Sequence, residues 1–380
     1  MKIAIMTQPL GKNYGGMIQA WALQQVLKNA GHTPVTIDRQ YEEKNAIYHA
    51  ARLGKRTLQK VIGRWKAPIN FERHLPSILL HTHTFIDQHL SMSEPLNSTD
   101  KLREHFEREQ YDAVIVGSDQ TWRPQYSPNI HNYFLDFLTD SDIKRIAYAS
   151  SFGVDEWEFS DEQTKLCAAL ATRFDSISVR ERSGVELCEK YLRVTASHVL
   201  DPTLLLGKES YEALYSNKEI PRRQGIYTYI LDEAEWKNQV LHTAKQMLGM
   251  EHYNNQPKVS MSSMSSNSPL DYTMPSLESW IKGFADAEFV ITDSFHGTVF
   301  SILFNKPFIS LVNPGRGSTR FNSLCEKLGL SSQLLKVYSE SSVRDLVNGH
   351  INHCGVGDKL DGLKKESVFF LNETIKDNTC

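Results

Sequence analysis

The chain has 380 residues, 42 Lys and Arg against 45 Asp and Glu, and a net charge of −3. The whole-chain charge therefore gives no argument for a nucleic-acid partner. The length is that of two ordinary domains, and a hydrophobic content of 40% is enough for packed cores. No window approaches the ~18 uninterrupted apolar residues of a membrane span, and the start, MKIAIMTQPLGKNYGG, has no long apolar run. Five scattered cysteines without CxxC spacing fit reduced thiols in a cytoplasmic protein and argue against structural zinc.

Lys2–Met6 reads as a short buried strand. A Gly-containing loop follows over residues 7–16, and Leu23, Val26, Leu27 and Ala30 then mark a helix that Gly31 ends. Residues 35–38 form the second strand. This opening is Rossmann-like, yet residues 11–16 are neither GxGxxG nor a P-loop, so the loop is expected to shape a cleft wall rather than hold a dinucleotide.

Residues 42–68 are basic and helical in tendency. Arg52, Lys55, Arg56, Lys60, Arg64 and Lys66 are interspersed with Leu53, Leu58, Val61, Ile62 and Trp65. One reading is an amphipathic face for an anionic membrane or a lipid diphosphate. The preferred one is a solvated helix with snorkelling cations. His81, His83 and His89 lack a grouped carboxylate or thiolate and read as surface histidines.

Ala113–Val116 is a central strand that runs into Gly117, Ser118, Asp119, Gln120, Thr121 and Trp122. Ser, Asp and Gln at a strand's carboxyl end offer several hydrogen bonds to a polyol, and Trp122 adds a flat face suited to a sugar. The bland alternative is a tight turn into an Asp-capped segment. Strand-like runs follow at 132–137 and 145–150.

Ser176–Val179 is a further strand, leading into Arg180, Glu181 and Arg182. Two arginines at a strand's end make an anion clamp, because each planar fork donates in pairs. A surface ion network among the three residues is the alternative. Residues 198–200 and then Asp201, Pro202 and Thr203 read as a buried strand and a rigid turn. Residues 226–231 are a strand, 233–248 a helix, and 260–268 a polar low-complexity loop.

The strongest signal lies in residues 289–311. An apolar, β-branched run ends in the polar turn Asp293-Ser294. Phe295, Val299, Ile302 and Leu303 then mark one helix face, and residues 308–311 a second strand. This is a parallel βαβ crossover. Its turn places Asp293, Ser294 and His296 where first-turn amides point outward, at the rim where open α/β sheets bind ligands. His296 is the best catalytic candidate in the chain; the bland alternative makes Asp293 or Ser294 an N-cap and His296 a polar first-turn residue. A loop at 313–320 adds Arg316 and Arg320. The repeated pattern gives an α/β chain of two domains, 1–174 and 175–354, with a helical tail at 355–380 that packs back across the boundary.

The segments NYGGMIQAWALQQVL, VIVGSDQTW, RIAYASSFG, SISVRERSG, HVLDPTLLL, FVITDSFHGTVFSILFNKPF and STRFNSLCEKLGL stand in the order of one family. Over nearly its whole length, apart from about residues 41–110 and the C-terminal tail, the chain resembles the polysaccharide pyruvyl transferase family. The resemblance implies a GT-B-like fold, with two Rossmann-like domains facing across a cleft, the first on the acceptor side and the second on the donor side. It implies transfer of the enolpyruvyl unit of phosphoenolpyruvate onto two hydroxyls of a sugar, giving a cyclic pyruvate ketal and phosphate, in exopolysaccharide or capsule biosynthesis. Phosphoenolpyruvate is then a co-substrate, with no further cofactor and no metal. The partner is a glycan acceptor, free or lipid-linked, and the location is the cytoplasm, with peripheral contact at the inner membrane face.

By the same resemblance, His296 matches the active-site histidine and Arg180 a donor-binding arginine, with Asp293 and Asp119 as secondary acid–base or sugar-contacting groups. Arg182, Ser294, Gly297, Arg316 and Arg320 complete the expected donor side. Asn13, Tyr14, Ser118, Asp119, Gln120 and Trp122 form the expected acceptor side. In one respect the chain departs from the family: many members carry arginine two residues before the histidine, where this chain has Ser294. Arg316, Arg320 and Arg182 are the candidates to replace it. The runner-up reading is a GT-B glycosyltransferase with a nucleotide-sugar donor held near residues 198–203 or 225–232. A binding-only polysaccharide assembly factor comes third.

Overall fold

The computed structural model describes residues 1–138, 141–261, 264–312 and 317–376. Its frame is two parallel sheets. The first contains β1 (Lys2–Met6), β2 (Thr33–Ile37), β3 (Ala113–Val116), β4 (Lys144–Ser150), β5 (Ser176–Val179) and β6 (Ser197–His198), in the order β2-β1-β3-β4-β5-β6. The second contains β7 (Ile226–Tyr229), β8 (His252–Tyr253), β9 (Phe289–Thr292), β10 (Phe308–Leu311) and β11 (Leu334–Leu335), in the order β11-β10-β9-β7-β8. Strands β3, β7, β9 and β10 are buried at every residue. Helices cover both faces, which is why these strands are mainly apolar and do not alternate between apolar and charged residues.

The division between the sheets differs from the one expected. Ile146 pairs with Ser176 and Ser178 with Ser197, so β5 and β6 extend the first sheet. The boundary therefore falls between β6 and β7 instead of near Arg173 to Ser176. A helix–strand repeat looks the same on either side of a sheet change, so only pairing could reveal it.

In each sheet the strand order reverses once, between β1 and β3 in the first and between β7 and β9 in the second. Such switch points leave a crevice at the carboxyl ends of the strands. The helix Tyr14–Asn29 starts at the first of them. Asn13 caps it, accepting a hydrogen bond from the Gly15 amide at 3.0 Å, and Gly31 leaves it with φ +83°. This helix packs against both halves of the chain: Tyr14 lies 5.6 Å from Trp280, and Trp21 5.4 Å from Tyr211.

One apolar cluster runs without a break from Ile3 and Ile5 through Met17 and Leu23 to Trp280, Val299 and Phe300. The long helix His353–Ile375 adds a second tie. Its Ser367 accepts from the Leu200 amide at 3.0 Å, Phe370 lies 6.4 Å from Tyr148 in β4, and Lys359 reaches the Leu328 carbonyl in the second half.

Candidate active site

The helix Phe295–Leu303 follows β9 directly and is buried along its whole length. Ser294 is its cap: the hydroxyl accepts from the Gly297 amide, and the carbonyl accepts from Thr298 at 3.0 Å. A β-carbon on Gly297 would come within 2.1 Å of Thr292 Oγ1, so glycine lets the helix sit tightly on β9. Ser294 and Gly297 thus build the turn. His296 is only 5% exposed and faces the first domain. There it meets Gly15, where a β-carbon would lie 2.1 Å from His296 Nδ1.

Four strand ends meet at this point: Ser118 after β3, Arg180 after β5, Asp201 after β6 and His296 after β9. Asp201 Oδ2 accepts from Ser118 Oγ and from Arg180 Nη1, both at 2.7 Å, and lies 3.7 Å from His296 Nε2. Its Oδ1 accepts from the Thr203 amide at 3.0 Å and hydroxyl at 2.6 Å. Burial works against an ionised Asp201, but His296, Arg180 and Thr203 outweigh it and hold the carboxyl well below the ordinary 3.8.

Arg180 is 4% exposed, and its guanidinium lies 4.8 Å from the centre of the Phe295 ring. Asp201 and Ser118 take only Nη1. Nε and Nη2 have no hydrogen-bond partner among the described residues, and neither does His296 Nε2. Arg320 lies 5.7 Å from the same ring. Burial, and then the Arg180 charge, push Arg320 down to about 10, with Glu181 and Asp119 pulling the other way. Two buried guanidinium groups beside one ring, one with open donors, form a place where an anion is favoured.

Other expected site residues lie elsewhere or do other work. Arg182 is exposed, its amide donates to Ser323 Oγ at 3.1 Å, and it does not join Arg180. Glu181 turns inward instead of pairing with the arginines, accepting from Ser151 Oγ and from the amides of Phe152 and Gly153 at 2.8–3.1 Å. Asp293 is committed to the loop after β7. It accepts from the Leu231 amide at 2.7 Å and from Lys237 Nζ at 2.6 Å. Burial, then the neighbouring Asp232 carboxyl, push Asp293 up to about 6 against the pull of Lys237. These contacts hold Asp293 to the loop after β7, and the carboxylate beside His296 is Asp201.

On the acceptor side, Trp122 has no free face. It is fully buried, donates to the Tyr133 carbonyl at 3.0 Å, and stacks on Phe134 at 4.9 Å. Tyr14 donates to the Pro275 carbonyl at 2.6 Å and joins the two halves, and Asn13 is the helix cap already described. Asp119 and Gln120 stay on the rim with Ser118. Asp119 holds a left-handed φ of 79°, and its Oδ2 would sit 3.2 Å from a β-carbon on Gly16. Gln120 Nε2 has no hydrogen-bond partner among the described residues. Arg316 lies outside the described residues.

A family model described as polysaccharide pyruvyl transferase matches residues 13–314, more than three quarters of the chain. The protein belongs to the polysaccharide pyruvyl transferase family. Gly15, Ser118, Arg180, Asp201 and His296 of this family member all lie inside the matched span. Comparison with curated protein sequences gave no match.

Solved structures similar to this pyruvyl transferase family member establish its fold. A provisionally named UDP-N-acetylglucosamine 2-epimerase from Listeria monocytogenes aligns with TM-score 0.58 at 10% identity, covering 99% of this chain and 95% of that one. A UDP-glucosyltransferase from Polygonum tinctorium aligns with TM-score 0.52 at 12% identity over 98% and 97% of the two chains. Arabidopsis thaliana UGT89C1 gives 0.51 at 11% identity over 99% of each. The architecture is GT-B-like: two parallel α/β sheets with their switch points toward one cleft.

Among the described residues, no group of three or more His, Cys, Asp and Glu side chains is placed to hold a metal, and no helix is long and apolar enough to cross a membrane. A surface hollow of about 500 Å³ is lined by Arg103, Tyr111, Asp112 and Ile143. Those residues precede β3 and β4, so the hollow lies at the amino ends of the strands, the wrong end for an α/β ligand site.

Asp201, Phe295 and Gly15 stand at the candidate site and were missed by sequence reasoning. One signal was available for Asp201: like Ser118 and Arg180, it stands just past a strand of the first sheet.

Proposed function

We propose that the protein transfers the enolpyruvyl unit of phosphoenolpyruvate to two hydroxyls of a glycan, forming a pyruvate ketal and releasing phosphate. The observation that carries this reading is Arg180: a buried guanidinium with two open nitrogens, beside Arg320 and next to His296. Phosphoenolpyruvate brings a phosphate and a carboxylate, the groups that a planar fork binds in pairs. Arg320 supplies the second cation that Ser294 does not.

The reaction then runs as follows. Protonation of the donor's methylene carbon makes C2 electrophilic. A sugar hydroxyl adds to C2 while its proton passes to His296, and the bond from C2 to the phosphate oxygen breaks. The second hydroxyl adds to C2 and closes the ring; its proton leaves with the phosphate, and the one taken up by His296 makes good the proton that the methylene consumed. Asp201, 3.7 Å from Nε2, stabilises the imidazolium that forms. Ser118, Asp119 and Gln120 serve the acceptor from the first sheet. A phosphoenolpyruvate donor puts the reaction in the cytoplasm, with lipid-linked glycan precursors at the inner membrane face as the acceptor class.

The test is product formation. With phosphoenolpyruvate and a galactose- or N-acetylmannosamine-type acceptor, phosphate should appear together with a new ketal methyl resonance. Untouched phosphoenolpyruvate, with consumption of a UDP- or CMP-sugar instead, would replace this reading with nucleotide-sugar transfer.

A further inference from the structure

The helix Ala46–Val61 is oriented against the usual rule. Ile47, Ala51, Gly54, Leu58 and Val61 recur at i, i+4, i+7, i+11 and i+14, which is one stripe of a helix. A surface helix of a globular protein buries such a stripe. Here it faces outward: Ile47 is 78% exposed, Leu58 63% and Val61 79%, and none of the helix residues is buried.

The cationic side rests on the protein instead. Arg56 forks onto Glu72 at 2.7 and 2.8 Å and lies 4.6 Å from the centre of the Trp65 ring. Arg52 reaches Glu72 at 3.2 Å, and Lys60 donates to the Ala67 carbonyl at 3.1 Å. These contacts fix the orientation of the helix, so the exposed stripe is held in place and is not a frayed end.

Charge selects the occupant of this face. Residues 44–70 hold seven Lys and Arg and no Asp or Glu, in a chain whose net charge is −3. Lys44, Lys55, Arg64 and Lys66 are exposed around the stripe. Apolar side chains pointing outward within a ring of cations match the headgroup layer of an anionic bilayer. The helical segment that follows also leans on the loop that opens onto the site, because Thr82 donates to the Gly11 carbonyl at 2.8 Å.

We propose that this helix is an interfacial membrane anchor. It lies in the plane of an anionic bilayer, with Ile47, Leu58, Val61 and Ile62 at the acyl boundary and the surrounding cations on lipid phosphates. The proposal stands apart from the donor chemistry and would survive its failure.

The test uses the full chain and vesicles of phosphatidylglycerol or of phosphatidylcholine. The protein should cosediment with the anionic vesicles, weaken in high salt, and leave the zwitterionic ones unbound. Leu58→Glu with Val61→Glu should lower the vesicle-bound fraction about tenfold or more, since both apolar area and charge balance are lost. Both positions are exposed, so the melting temperature and turnover of a soluble acceptor should not change. Equal vesicle binding by the double variant, or no binding by the native chain, would overturn the proposal. A native dimer that the same variant dissolves, without vesicle binding, would assign the stripe to a second copy instead.

Discussion

The imidazole of His296 occupies the space that a side chain at Gly15 would need: a β-carbon there would lie 2.1 Å from Nδ1, 2.8 Å from Cγ and 2.9 Å from Cε1. The residues belong to different sheets' helices, so their contact sets where the catalytic candidate stands relative to the first domain. Gly15→Ala should displace the ring, cost about 1–3 kcal/mol through overpacking, and lower turnover by about 10²-fold. In a His296→Ala background the same substitution should cost little stability. Thermal melts of the four proteins in this cycle check the coupling; equal costs in both backgrounds would break it.

His296→Gln keeps much of the size and hydrogen bonding but removes the proton acceptor. Single-turnover pyruvylation should fall by about 10²–10⁴, the usual worth of general acid–base catalysis, while phosphoenolpyruvate titration stays nearly unchanged. Near-normal turnover in a well-folded variant would remove His296 from the mechanism.

Arg180 and Asp201 should respond differently to truncation. Arg180→Ala removes a charge-assisted donor contact of about 1.5–3 kcal/mol, so the apparent KM for phosphoenolpyruvate should rise while Asp201 keeps Ser118 and Thr203. Asp201→Ala strands a buried guanidinium and should destabilise the fold by about 3–5 kcal/mol. Urea unfolding beside steady-state kinetics distinguishes the two effects.

A pH dependence follows from His198, whose Nε2 lies 3.1 Å from the Arg180 carbonyl. Burial, then the Lys327 charge, push this histidine from 6.5 down to about 4. The unfolded chain therefore holds more protons than the folded one between these values. Stability should be fully present above pH 6.5 and decline as pH falls toward 4. His198→Gln should flatten that slope in urea unfolding series. The depressed carboxyl of Asp201 acts in the same direction, but only below its ordinary 3.8.

The position of His296 was legible because strand, turn and helix follow one another within a few residues, and a βαβ unit fixes its own rim. Trp122 was not. It stands close past β3, like the rim residues, but its side chain turns back onto Phe134, and sequence distance carries no sign of that direction. Arg180 and Arg182 differ by two positions, yet one ends a buried strand and the other starts an exposed helix turn. Asp201 escaped because two of its neighbours at the site, Ser118 and His296, are each about 80 residues or more away along the chain. The assignment of β5 failed for a related reason, since sheet membership depends on pairing with β4, thirty residues upstream.

The unbroken apolar cluster from Ile3 to Phe300 bears on how the molecule melts. Each sheet also has an apolar layer of its own on the opposite face; those layers alone would let one sheet lose its order while the other persisted, and calorimetry would show two events. Here a melted second sheet would leave Tyr14, Met17 and Trp21 of the first without their neighbours. Heat should therefore take both sheets in one cooperative transition, with calorimetric and van't Hoff enthalpies in agreement. Neither half should persist as a folded fragment when cut between β6 and β7.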